Sequence, residues 1–237
     1  MKICWIGHSS FRIEIGDQVL LVDPWIDGGS GGFPPNPLFE GQNRADAIAG
    51  ATAILVSHGH GDHAGEAVAL AKETGATLVG IYDLMSFWGE KHGLETVGFN
   101  KGGTVQLGDV AVTMVNAAHS SSVGTKNGPG YAGAEAGFMI SGEGKTVYFS
   151  GDTDVMADMA IFQALHEPDI GILCAGGHFT MDMRRAAYAA KTFFDFDVVI
   201  PCHYKTFPLL EQSAEVLVEA LPDVRVIEPV VMESIEL

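Results

Sequence analysis

The sequence predicts a layered α+β domain, two packed β-sheets with helices outside, in one unit spanning residues 1–237. Three observations predict it. Short apolar runs bounded by Gly, Asp or Pro recur along the whole chain, and stretches with helical spacing separate them. The two halves repeat one order, a β-meander followed by β-α steps, with no linker between them. A composition of 47% hydrophobic and 18% charged residues is that of an ordinary folded protein, and 237 residues bury a sizeable core without staples.

The elements follow in order. Ile3 to Ile6, Phe11 to Ile15 and Val19 to Val22 read as three strands, with Gly16-Asp17 as a hairpin turn. The glycines and prolines of Gly28 to Pro37 leave no room for regular structure, so a surface loop or lid is expected there. Phe33, Leu38 and Phe39 beside it are candidates to cap a site or meet a partner subunit. A short helix is expected around Arg44 to Ala49, a buried strand at Ala53 to Val56, and one helix from Ala64 to Lys72 ended by Gly75. Leu78 to Ile81 and Leu84 to Lys91 make a second β-α step. Strands return at Thr104, turn at Gly108-Asp109 and continue through Val110 to Val115. Ser120 to Tyr131 is expected as a second loop near a site, and Phe138 to Ile140 and Thr146 to Phe149 as a pair of strands. Strands at Ile170 to Cys174 and Val198 to Ile200, helices at Asp182 to Phe194 and Leu209 to Ala220, and a β-like tail from Val224 to Val231 complete the chain.

Charge and cysteine usage exclude several classes. Thirteen Lys and Arg against 30 Asp and Glu give a formal charge of −17, whose far field repels nucleic acid and anionic membrane, so neither is an expected partner. Cys4, Cys174 and Cys202 are widely spaced and form no CxxC pair, which points to reduced core thiols rather than a disulfide framework. After Met1-Lys2 only four apolar residues precede Gly7-His8-Ser9-Ser10, too few for a signal-peptide core or a membrane span, and a cytoplasmic protein is expected.

His58-Gly59-His60-Gly61-Asp62-His63 places three imidazoles and a carboxylate within six residues, directly after an apolar strand. Divalent cations bind this mixture of neutral imidazole nitrogen and carboxylate oxygen, and the glycines let alternate side chains converge. His119, Asp152 and His203 each follow an apolar strand as well, so strand ends along one sheet edge could bring all of these residues together. His8 and His178 also follow strands, and a hydrogen-bonded structural histidine is an equal reading for His8. His178, in a Gly-Gly-His turn, is a candidate proton donor or oxyanion contact. A helix start at Thr180 to Asp182 and the side chain of Lys205 are candidate contacts for an anionic group.

His58-x-His60-x-Asp62-His63, with His119, Asp152 and His203 downstream in that order, resembles the five-motif signature of the metallo-β-lactamase superfamily. Gly7-His8-Ser9-Ser10-Phe11, Asp23-Pro24-Trp25, His119-Ser120-Ser121, Gly151-Asp152-Thr153, Gly176-Gly177-His178-Phe179-Thr180-Met181 and His203-Tyr204-Lys205-Thr206-Phe207-Pro208 narrow the resemblance further. They are similar to the branch of metal-dependent hydrolases related to L-ascorbate-6-phosphate lactonase. The resemblance, over nearly the whole chain, implies an αββα four-layer sandwich with two divalent ions, zinc or manganese with iron as a third option, at its edge. By it, His58, His60 and His119 bind one ion, Asp62, His63 and His203 the other, and Asp152 bridges them. Asp23 braces the metal loop without ligating, and Asp62 also orients the hydroxide that the two ions generate from a shared water.

The implied activity is hydrolysis of a small molecule, with room for an anionic group. Lactone or other ester opening comes first and phosphodiester cleavage second; a non-catalytic metal- or ligand-binding member of the fold is the alternative. The chain ends 34 residues after His203, without the helical domain of glyoxalase II relatives, and no basic tRNA-clamping arm is seen. Diiron redox relatives place a carboxylate where His60 stands, which favours hydrolysis, and the expected cytoplasmic location argues against true β-lactamase activity. A homo-oligomer is compatible with all of this.

Overall fold

The computed structural model describes residues 1–28 and 33–237. The first half builds β1 (Lys2–Gly7), β2 (Ser10–Ile15), β3 (Gln18–Val22), α1 (Arg44–Ile48), β4 (Ala53–Val56), α2 (Gly61–Ala64), α3 (Ala67–Thr74), β5 (Thr77–Ile81), α4 (Tyr82–His92) and β6 (Thr96–Phe99). The second half builds β7 (Thr104–Leu107), β8 (Val110–Asn116), β9 (Ser122–Thr125), β10 (Gly128–Tyr131), β11 (Ala136–Gly142), β12 (Lys145–Phe149), α5 (Asp158–His166), β13 (Ile170–Cys174), α6 (Met183–Phe193), β14 (Val198–Cys202), α7 (Glu215–Ala220), β15 (Arg225–Val226) and β16 (Ser234–Glu236).

The strands form two seven-stranded sheets, ordered β16-β1-β2-β3-β4-β5-β6 and β15-β14-β13-β12-β11-β8-β7. Each repeats the expected order: antiparallel pairing through β1-β2-β3 and β8-β11-β12, then parallel steps through β3-β4-β5-β6 and β12-β13-β14-β15. The sheets face each other across one apolar core, where the rings of Phe11 and Phe149 meet at 6.2 Å and those of Phe99 and Phe138 at 6.4 Å. Helices α3 and α4 cover the outer face of the first sheet, and α5, α6 and α7 pack together over the second, α6 against β13. This is the αββα sandwich expected. Strands β4, β13 and β14 are buried along their whole length, as parallel strands covered on both faces must be.

Strand direction decides where the chemistry falls. Since β1, β3 and β4 run parallel to one another, and β8, β12 and β14 likewise, the carboxyl ends of each set lie at one end of their sheet. His8, Asp23, His58, His119, Asp152 and His203 stand within three residues of those six ends.

Several expected elements differ. The single helix from Ala64 to Lys72 is two, α2 and α3, broken at Gly65-Glu66, because the Glu66 carboxylate turns inward to accept the Ile26 N–H at 2.7 Å. The loop expected at Ser120 to Tyr131 contains the hairpin β9-β10, turning at Lys126-Asn127. The helix expected from Leu209 shrinks to α7, since Pro208 precedes a turn in which Gln212 binds the carbonyls of Phe207 and Leu210. Strand β6 and helix α5 were not expected. Of the expected lid, residues 29–32 lie outside the described residues; Phe33 packs on Trp25 at 5.1 Å, and Phe39 is a core residue rather than a partner contact. All three cysteines are free and buried. Among the described residues no helix is long and apolar enough to cross a membrane.

Candidate metal centre

The loop between β4 and α2 carries His58 and His60, and the first turn of α2 carries Asp62 and His63. A helical turn places adjacent residues on diverging faces, so Asp62 and His63 reach different neighbours. Across the cleft, Gly151 (φ 58°) delivers Asp152, where a Cβ would stand 2.3 Å from the Ala136 carbonyl oxygen. His203 leaves β14 in left-handed backbone (φ 61°), and Gly176 lies against it so closely that a Cβ there would sit 2.0 Å from its carbonyl oxygen. His8 (φ 54°) and Asp23 (φ 45°) share that conformation, unfavourable for residues with a Cβ; such positions concentrate where a site dictates the backbone.

Two groups of donors result. His58, His60 and His119 form one, and Asp62, His63 and His203 form the other together with His8; within each, the candidate donor atoms lie within 4.8 Å of one another. Asp152 stands between the groups: its Oδ2 is 3.1 Å from His203 Nε2, 3.3 Å from His63 Nε2, 3.6 Å from His119 Nε2 and 3.9 Å from His58 Nε2.

Hydrogen bonds behind the cluster fix which nitrogens face it. Asp23 accepts from the Ser57 N–H at 2.7 Å, the Ser57 hydroxyl at 2.5 Å and His63 Nδ1 at 2.7 Å. The Ser57 hydroxyl hydrogen is therefore spent on Asp23, and its oxygen, 3.0 Å from His58 Nδ1, accepts from that nitrogen. Both His58 and His63 are left with an unprotonated Nε2 turned to the cluster. His58 Nε2 comes within 3.0 Å of His60 Nδ1, and His63 Nε2 and Asp152 Oδ1 are buried without a hydrogen-bond partner among the described residues. Lone pairs converging on carboxylate oxygens in a buried space call for a positive charge, and the residues fit a metal ion.

The electrostatics agree. Burial, reinforced by His63, pushes His58 well below the ordinary imidazole range, and burial also lowers His60 and His119. Burial opposes the charge of Asp152, yet His203 and His63 hold it well below the usual carboxylate range, and His63 and His8 do the same for Asp62. For His63, burial is outweighed by Asp152, Asp62 and Asp23, which raise it well above the ordinary imidazole range: these carboxylates call for a positive charge at its Nε2, the place an ion would fill.

The structure thus gathers all seven expected ligand positions, and Asp23 takes the bracing position expected of it. His178 is not gathered: it is exposed, its ring rests on Phe179 at 4.6 Å, and among the described residues no hydrogen bond or ion pair joins it to the cluster. It lines a cleft of about 390 Å³ with Gly176, Thr180, Arg185, Leu209 and Glu211, a lining that includes none of the seven ligand positions. Lys205 turns away, pairing with Glu228 at 3.6 Å and resting over the Tyr204 ring. The expected helix start holds, with Asp182 capping α6 by accepting the Arg185 N–H. Ser57 escaped sequence reasoning, Thr206 entered it only within the His203 motif and without a role, and His8 stayed open; its position just past a strand is the same signal that singled out His119 and His203.

Comparison with known proteins agrees with this geometry. Residues 2–203 match the family described as the beta-lactamase superfamily domain. The chain belongs to the metallo-β-lactamase superfamily, and within it to the UPF0173 metal-dependent hydrolases. It is 70% identical to the UPF0173 metal-dependent hydrolase of Dinoroseobacter shibae over 237 residues, the whole of both chains. It is 59% identical to that of Paracoccus denitrificans, again over the whole of both. Among solved structures it is similar to a metallo hydrolase of the archaeon Ignicoccus hospitalis, with a TM-score of 0.83, 29% identity, and 100% of this chain and 98% of that one covered.

Proposed function

We propose that this metal-dependent hydrolase opens a small-molecule lactone or similar ester at a two-ion site. His58, His60 and His119 hold one ion, Asp62, His63 and His203 the other, and Asp152 lies between them. The observation that carries the reading is the single oxygen, Asp152 Oδ2, within 3.1–3.9 Å of imidazole nitrogens from both groups. Mixed imidazole and carboxylate donors suit zinc or manganese, and accept iron. When bound, such ions lower the pKa of water and polarise a carbonyl oxygen.

The side chains supply the rest. Asp62, ionised and acceptor-only, orients the attacking water by accepting one of its hydrogens. His178, exposed in the turn after Gly176, which packs against His203, is assigned as the proton donor to the leaving group, and its removal is expected to lower kcat without loss of bound metal. The pairing of nearby cations supports an ester over a phosphorylated substrate: Arg185 is engaged with Asp154 at 2.6 Å, and Lys205 with Glu228 at 3.6 Å. The reading takes up the ring-opening reaction, though not the phosphate, of the ascorbate-6-phosphate lactonase branch that the motifs resemble. A charge of −17 supports a small-molecule partner and a cytoplasmic setting without nucleic acid or membrane, and a homo-oligomer is compatible with the cleft.

The test is metal content by elemental mass spectrometry on protein purified without added metal or chelator, beside Asp152→Ala, followed by lactone and phosphodiester panels. About two ions per chain, falling in the variant, with lactone turnover, is the expected result. Phosphodiester turnover with lactones untouched would reverse the substrate order, and no metal after reconstitution would overturn the site.

A further inference from the structure

His8 lies outside the seven ligand positions, yet it is fully buried in the turn between β1 and β2. Its carbonyl accepts from Trp5 Nε1 at 2.8 Å and from the His203 N–H at 3.0 Å, so the turn is tied to the end of β14. Its ring lies 3.9 Å from that of His203, with Trp25 at 5.2 Å and Phe207 at 5.9 Å closing the other sides. Both ring nitrogens have partners: Thr206 Oγ1 is 2.8 Å from Nδ1, and Asp62 Oδ2 is 3.0 Å from Nε2.

A neutral imidazole donates from one nitrogen and accepts at the other, and the partners decide which. The Tyr204 carbonyl already accepts the Thr206 N–H at 2.9 Å. The Thr206 hydroxyl is 3.2 Å from that carbonyl and 2.8 Å from His8 Nδ1, so its hydrogen goes to the closer, unserved acceptor. Nε2 then carries the ring hydrogen and points it at Asp62 Oδ2. That same oxygen lies 3.7 Å from His63 Nε2 and 3.9 Å from His203 Nε2.

We propose that His8 is a positioning residue for the second ion: its Nε2–H donates to Asp62 Oδ2, occupies one lone pair and turns the other toward the space between His63 and His203. This rests on the reading that those residues hold an ion. The opposite tautomer would present a lone pair and make His8 itself a ligand; the Thr206 hydroxyl selects against it.

The test compares His8→Ala, His8→Gln and Thr206→Val with the parent chain, following release of each ion into a chelator by elemental mass spectrometry, with thermal unfolding of the metal-free forms alongside. Ala and Gln share the same backbone cost at φ 54°, so their difference reports the side chain. In His8→Ala the second ion is expected to be held roughly 10–100-fold more weakly and the first unchanged. His8→Gln, whose amide N–H reaches where Nε2 stood, is expected to recover most of that loss, and Thr206→Val to fall between. Equal loss in His8→Gln and His8→Ala with Thr206→Val unaffected would make His8 a ligand and overturn the proposal. Retention unchanged in His8→Ala, or loss of both ions together with metal-free stability, would overturn it as well. Parent protein that takes up only one ion overturns the two-ion reading itself, an outcome visible before any variant is made.

Discussion

Asp23 stands behind the cluster, yet it orients two of the rings in it. Its carboxylate holds Ser57 and His63, and through Ser57 it fixes His58. Asp23→Ala would leave the Ser57 N–H and His63 Nδ1–H buried without partners, each costing about 1–3 kcal/mol. We expect a loss of about 3 kcal/mol in urea unfolding and metal held roughly 10–100-fold more weakly, with Asp23→Asn between it and the parent. The six-residue His/Asp cluster and the residue types at the later strand ends made the seven ligand positions legible, and the motif resemblance added Asp23. The proton positions were not legible, because they depend on neighbours such as Thr206, 198 positions from His8, that only folding brings into reach.

At the scale of elements, two connections hold the centre in place. Gly176, past β13, has no room for a side chain against His203. Gly176→Ala is expected to displace His203 and, by overpacking, to cost about 1–3 kcal/mol, read by thermal unfolding and by loss of metal on dialysis. The other is the break between α2 and α3, where Glu66 accepts the backbone N–H groups of Ile26 and Asp27. Burial pushes Glu66 up to about 7 from the ordinary 4.5. Between those values the folded chain keeps a proton that the unfolded chain has lost, so this group's contribution to stability is fully present below pH 4.5 and falls as pH rises to 7. Glu66→Gln should remove that slope, gaining about 1–2 kcal/mol relative to the parent between pH 5 and pH 8 in paired denaturation curves. The same break shows why elements were read less well than residues. Ala64 to Lys72 has helical spacing throughout, and the helix is interrupted by a hydrogen bond to Ile26, 40 positions away. The β9-β10 hairpin was hidden for another reason, since Gly- and Ser-rich strands lack the alternating pattern that marks buried ones.

For the molecule as a whole, the fold class was legible because both halves repeat a meander and parallel steps, an order that buries one face of each sheet against the other. The closed four-layer form came from the motif resemblance. Buried carboxylates and outward lone pairs make the centre the place where this fold depends most on its surroundings. At a hundredfold excess of metal over Kd, binding adds about 2.7 kcal/mol to folding. Calorimetry after chelation should therefore show Tm lower by roughly 5–10 °C, restored in proportion to the logarithm of added zinc or manganese.

The six strand ends are divided evenly between the sheets, β1, β3 and β4 in the first and β8, β12 and β14 in the second. Neither half of the chain can assemble Asp152 with His58 and His63 by itself. Uptake of an ion therefore works as a coincidence detector during refolding, registering only molecules in which both layers have arrived and docked, and silent to a half that has formed its own sheet and waits for the other.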